Sequence, residues 1–284
     1  MASFRARNGS PEIYLPLTTE VLSPAIWKRH GDVVKMPLSL GPEQSLFVSF
    51  RKKRDVPVVK NLRYNGEEVF EVKAPEEARE NNKADADKLN LFYNEQQTLK
   101  LETTLPGDYE ILFDDGEKTE LQVDVDSPLI LDTPWQVQFV SGRGAPEGKV
   151  LFPSLKDWSR HAQESIRYYS GTAEYRTTVN CPKQWFDGMK KFVLDLGEVD
   201  VIADVEINGK NLGTLWYAPF TIDITEALKS GKNTIKVTVS NVWTNRIIGD
   251  LRNPDAEPYT YSRTQLYKPE DELEPSGLLG PVKI

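Results

Sequence analysis

Phe192 to Asp250 reads FVLDLGEVDVIADVEINGKNLGTLWYAPFTIDITEALKSGKNTIKVTVSNVWTNRIIGD. Within it Val201, Ala203, Val205 and Ile207 alternate with Ile202, Asp204 and Glu206, a period of two that puts an apolar row on one face of a strand. Asn208-Gly209 follows; both central residues of a type I′ turn need positive φ, and this pair tolerates it best. The chain returns through Leu212 and Leu215, and then Phe220, Ile222 and Ile224 alternate with Thr221 and Asp223. Thr225 suits the N-cap of a single helical turn that Gly231 would end. Ile235, Val237 and Val239 form the next buried row. Several short strands in succession, each apolar on one side, predict an antiparallel sandwich or jelly roll.

Working outward, a unit containing this stretch begins near Asp126-Ser127-Pro128, so its expected span is 127–284. Trp135, Val137 and Phe139 open it, a long loop runs from Ser141 to Arg167, and Tyr168 to Val179 reads as a strand. After Asp250 five prolines and little periodicity predict an irregular tail packed over the sandwich. Residues 1–126 read as a separate sandwich, immunoglobulin-like or similar. Val34, Met36, Leu38 and Leu40 alternate, as do Leu46, Val48 and Phe50 around the turn residues 41–44. Further rows are Leu99 and Leu101; Tyr109, Ile111 and Phe113; and Leu121, Val123 and Val125, with Asp114-Asp115-Gly116 as a hairpin turn. The charged stretch Ala74–Asn90 reads as a loop. The fold class is therefore all-β, two β-sandwich domains.

The second unit resembles the galactose-binding-like jelly roll of family 2 glycoside hydrolases. It is more similar still to the C-terminal β-sandwich of family 106 α-L-rhamnosidase-type enzymes. The residues that carry the resemblance are Tyr169-Ser170-Gly171-Thr172-Ala173-Glu174-Tyr175, Asn208-Gly209, Gly213, Trp216-Tyr217-Ala218-Pro219-Phe220, Asn241 through Asp250, and Pro275 to Pro281. In those families the catalytic carboxylates sit on a separate barrel. The resemblance thus implies an accessory region whose barrel lies elsewhere in a larger protein, with 1–126 as an accessory sandwich that starts before Met1.

Bulk composition limits the partners. The chain has 284 residues, 39% hydrophobic and 10% aromatic, with a net charge of −8; that charge argues against nucleic acid or an anionic membrane surface. No apolar run approaches the ~18 residues of a membrane span. No signal is visible in this chain, and the resemblance implies a secreted or periplasmic parent.

Catalytic constellations are sparse. Glycoside hydrolysis needs two carboxylates ~5 to ~9.5 Å apart, and Asp204 and Glu206 at i and i+2 are about 7 Å apart on one strand face. Composition and strand geometry favour reading the pair as a solvated strand face rather than an active site. Only His30 and His161 are present, without a Gly-x-Ser-x-Gly elbow, and Cys181 is the single cysteine, so neither a nucleophilic triad nor a zinc site is expected. A structural calcium ion is a possibility, with Asp126, Asp132, Asp187 and Asp200 as contributors. No other cofactor is expected.

Sugar recognition remains. A pyranose offers hydroxyls and a flat C–H face, which calls for an aromatic platform beside Asn, Asp or Arg. Three clusters qualify: Trp216 with Tyr217; Trp243 with Asn245 and Arg246; and Trp158 with Tyr168 and Tyr169. For any single aromatic, core or interdomain packing is the commoner role. For Asn241, Asn245, Arg246 and Asp250, backbone capping and an internal ion pair are the alternative. The expected function is a non-catalytic carbohydrate-binding or cleft-completing region of a polysaccharide-degrading glycoside hydrolase of the rhamnosidase type. The partners expected are a plant-type polysaccharide or oligosaccharide and the missing barrel. A purely structural interdomain module and a small independent glycosidase stay open beside it.

Overall fold

A computed structural model describes residues 1–284 apart from 17–18, 39, 42–43, 52–55, 72–88, 189 and 265, and its regular segments are mostly strands. The chain divides into two units, Met1–Ser127 and Pro128–Ile284.

The first unit contains β1 (Ala2–Arg5), β2 (Glu12–Tyr14), β3 (Val21–Pro24), β4 (Lys28–His30), β5 (Val33–Met36) and β6 (Phe47–Ser49). They are followed by β7 (Val59–Tyr64), β8 (Glu67–Glu71), β9 (Leu89–Tyr93), β10 (Leu99–Thr103), β11 (Gly107–Phe113) and β12 (Lys118–Val123). The sheets run β1-β5-β4, β10-β9-β3-β2-β6 and β12-β11-β7-β8. Leu89, Leu91 and Tyr93 of β9 share one core with Val59 and Leu62 of β7 and with Tyr109, Ile111 and Phe113 of β11, so the five- and four-stranded sheets form a sandwich. The Asp114-Asp115-Gly116 turn joins β11 to β12, with Gly116 at φ +92°. The row that begins at Val34 ends at Met36, where Pro37 can no longer donate to a ladder. Most of the charged stretch predicted as a loop, residues 74–88, lies outside the described residues; Leu89 and Asn90 open β9.

The second unit contains β13 (Trp135–Phe139), β14 (Lys149–Phe152), β15 (Thr172–Cys181), β16 (Val193–Asp195), β17 (Glu198–Asp200) and β18 (Ile202–Ile207). Then come β19 (Lys210–Leu215), β20 (Thr221–Asp223), β21 (Gly231–Ser240) and β22 (Gly277–Gly280), with helices α1 (Glu164–Arg167) and α2 (Thr244–Arg252). A six-stranded sheet in the order β14-β13-β15-β21-β18-β19 is covered by the pairs β16-β20 and β17-β22. Val137, Ala173, Tyr175, Ala203, Val205, Ile235 and Val237 line its buried face, each large apolar side chain contributing roughly 1.5–3 kcal/mol. Asn208 and Gly209 sit at φ +53° and +86°. The Asn208 carboxamide also accepts from Thr234 N at 3.0 Å and donates to Ala227 O at 2.8 Å, which ties the turn to the next strand.

Three sequence expectations are corrected, and one helix is added. The segment from Ser141 to Arg167 is not a loop throughout: it contains β14, a 3-10 turn at Trp158–Arg160 and α1. A single turn does form after β20, closed by Ala227 N and Leu228 N on Ile224 O, but Thr225 does not cap it: its hydroxyl accepts from Phe192 N at 2.9 Å, and Gly231 opens β21. The stretch from Asn241 also holds most of α2, whose buried face carries Thr244, Asn245, Arg246 and Gly249 beside Ile248. The C-terminal tail is in part regular, since β22 pairs with β17 and Leu131 N donates to Val282 O.

Candidate functional site

Register fixes which loops of the second unit share an end of the sheet. Strands β19 and β21 both pair antiparallel with β18, and Leu215 and Val239 both face Ala203. The two strands therefore leave the sheet at the same end, roughly 10 Å apart across β18. Trp216 follows β19 directly, and Trp243 stands three residues beyond β21 as the N-cap of α2. Trp216 is 54% exposed and Trp243 68%. Half-buried Tyr217 meets Trp216 edge-on, with 4.9 Å between ring centroids. Val140, Ile202 and Val242, also exposed, come out at this end by the same register.

The other predicted residues are inside. Trp158 and Tyr169 have no exposed surface and are not sugar platforms: each completes the core. Trp158 Nε1 donates to Tyr175 Oη at 2.6 Å, and the two rings stack at an interplanar angle of 5°. Burial pushes the Tyr169 phenol up from its ordinary range, so it keeps its proton and donates to Thr172 O at 2.8 Å. Asn245 is buried as well. Its Nδ2 donates to Glu274 O at 2.7 Å and its Oδ1 accepts from Glu274 N at 2.8 Å, a clamp on the segment leading into β22. Asn241 donates to Tyr169 O and accepts from Gly171 N.

Arg246 is only 8% exposed. Its Nη2 meets Asp250 Oδ1 at 3.0 Å, the i,i+4 spacing of one helix face, while Asp250 Oδ2 accepts from the Thr260 amide and hydroxyl. The guanidinium lies over the rings of Tyr168 and Tyr259, at 5.8 and 5.0 Å. A pocket of about 190 Å³ opens beside it, lined among others by Glu164, Ser165, Tyr168, Arg246, Glu257 and Tyr259. A Cβ on Gly249 would reach within 2.5 Å of the Tyr168 ring, so this helix position admits no side chain without displacing that wall. Tyr259 joins the pocket from the aperiodic tail, which gave no signal for it.

The acidic residues do other work. Asp204 accepts from the Thr214 hydroxyl and Glu206 pairs with Lys236, so both carboxylates are held by neighbours on the outer sheet face. Burial, then Glu274 and Asp157, hold the Asp200 carboxyl above the usual carboxylate range. Among the described residues no group of three or more His, Cys, Asp or Glu side chains is placed to hold a metal ion, and the four aspartates considered for calcium form no such group. Among the same residues no helix is long and apolar enough to cross a membrane.

Residues 157–269 match the family model described as glycosyl hydrolase 2 galactose-binding domain-like. Two proteins of Formosa agariphila are similar in sequence. One, named "Putative beta-glucuronidase", is 40% identical over 183 residues, 56% of this chain and 16% of that protein. The other, named "Beta-glucuronidase", is 32% identical over 137 residues, 44% of this chain and 14% of that protein. A rhamnosidase structure from Novosphingobium sp. PP1Y aligns with 99% of this chain and 21% of its own, at 26% identity and a TM-score of 0.67. The chain thus spans about a fifth or less of these relatives. Its second unit contains a galactose-binding-like domain of the glycoside hydrolase kind, within an all-β chain.

Proposed function

From a galactose-binding-like domain with glycoside hydrolase relatives, we propose that the chain is a non-catalytic region that faces carbohydrate within a larger glycoside hydrolase of the rhamnosidase type. One observation carries the reading: Trp216 and Trp243, both exposed, leave the six-stranded sheet at the same end. Two exposed indoles on segments that leave strands roughly 10 Å apart suit the C–H faces of a sugar chain. The exposed Val140, Ile202 and Val242 at that end suit a surface covered by a catalytic barrel in the parent. In this reading the substrate is a plant-type polysaccharide, the parent acts outside the cytoplasm, and hydrolysis belongs to the barrel. The partnered state of Asp204 and Glu206 supports that division of labour.

Calorimetric titration of the 284-residue chain with pectic oligosaccharides tests it. Binding with Kd near ~1 mM, weakened at least tenfold by Trp216→Ala or Trp243→Ala, is expected. Heats indistinguishable from dilution for every oligosaccharide would favour a purely structural module instead. An assay on aryl α-L-rhamnosides and β-D-glucuronides is expected to give no turnover; turnover abolished by Asp204→Asn would reverse the non-catalytic reading.

A further inference from the structure

We propose that the pocket beside Arg246 binds one neutral pyranose residue of a glycan. The proposal rests on the carbohydrate-facing reading and adds a second, enclosed subsite to it. Two polar atoms of the pocket lining, Arg246 Nε and Ser165 Oγ, are buried and find no hydrogen-bond partner among the described residues. A buried donor left unpaired is destabilising, and a ligand hydroxyl would recover that loss at both atoms. The Tyr259 ring is 58% exposed and lies across the guanidinium. It offers the apolar face that a pyranose C–H surface needs, above donors and acceptors that converge from α1 and α2.

Charge and volume select the kind of sugar. Glu164, Asp250 and Glu257 line the pocket against one guanidinium, and that guanidinium is already paired with Asp250. An anionic sugar would meet more negative than positive charge there, whereas hydroxyls can donate to Glu164 and Glu257 and accept from Arg246 and Ser165. About 190 Å³ is the scale of a single ring, not of a chain. Nε and Oγ lie just beneath the pocket surface.

Saturation-transfer NMR on the full chain tests this with methyl α-L-rhamnopyranoside, methyl β-D-galactopyranoside and galacturonic acid. Transfer to at least one neutral glycoside is expected, with none to galacturonate. Tyr259→Ala and Ser165→Ala should each weaken it at least tenfold. Arg246→Gln breaks a buried ion pair and endangers the fold, so the exposed Tyr259 carries the test. Silence from both neutral glycosides, preference for galacturonate, or transfer undiminished in Tyr259→Ala would each overturn the pocket. Oligosaccharide binding that persists in Tyr259→Ala but is lost in Trp216→Ala would leave the sheet-end reading standing without this subsite.

Discussion

The aromatic residues of Pro128–Ile284 fall into two sets. In one, Trp158, Tyr169 and Tyr175 are fully buried and joined to each other and to Phe139 by ring contacts and hydrogen bonds. In the other, Trp216 and Trp243 stand exposed on loops leaving one end of the sheet. The residue types are the same in both sets. What separates them is whether a later segment covers them: Trp158 N donates to Ser276 O, and Gly277 approaches so closely that a Cβ there would sit 2.6 Å from the indole. An aromatic becomes core when the chain returns over it.

The contrast is sharpest under substitution. Trp158→Ala should cost ~3–5 kcal/mol through the cavity it leaves, read as a lower urea midpoint; a loss below ~1 kcal/mol would mean that Trp158 is not the keystone of its core. Asn245→Ala should cost about 1–3 kcal/mol and speed amide exchange in Gly277–Gly280, because the clamp on Glu274 is removed. Unchanged exchange there would show that β22 holds without it.

Asp200 gives a pH-dependent difference. Its folded pKa is raised, so the folded state binds this proton more tightly than the unfolded chain does. The resulting penalty is absent below the unfolded value near ~3.9 and develops as pH rises through the folded pKa. Asp200→Asn should therefore raise Tm at pH 7 relative to the parent chain, with the gain disappearing towards pH 4. A gain that is constant with pH would assign it to something other than this carboxyl. Least affected in stability should be Trp216→Ala and Trp243→Ala, each within ~0.5 kcal/mol of the parent in urea. A larger loss would move these residues into the structural set.

How much of this was legible follows from where the information lies. The Val201–Ile207 alternation and the Asn208-Gly209 turn are local, and both appear as read: β18 buries Ala203, Val205 and Ile207, and both turn residues take positive φ. Helix α2 is hard to read because most of its buried side chains are polar and its apolar residues, Ile247, Ile248 and Leu251, span little more than one turn. The i,i+4 pairing of Arg246 with Asp250 was the signal available. β22 is four residues, Gly-Leu-Leu-Gly, whose partner β17 lies far upstream, and no local pattern announces such a pairing. The candidate site divides the same way. The sequence leaves packing and ligand contact both open for each aromatic; Trp216 and Trp243 are exposed, while Trp158, Tyr169 and Asn245 lie inside, under the returning tail. The pocket takes Tyr168, Arg246 and Tyr259 from three separate segments, a juxtaposition that only tertiary structure provides.

Acrylamide quenching of tryptophan fluorescence, with and without a rhamnose-containing pectic oligosaccharide, tests the central claim most directly. Trp216 and Trp243 are the most exposed of the described tryptophans, so a sugar seated on them shields the indoles that quench most. The account predicts that saturating oligosaccharide lowers the quenching constant of the parent chain and leaves that of the Trp216→Ala/Trp243→Ala double variant unchanged. Equal quenching of the parent chain with and without the sugar, at concentrations well above ~1 mM, would contradict it.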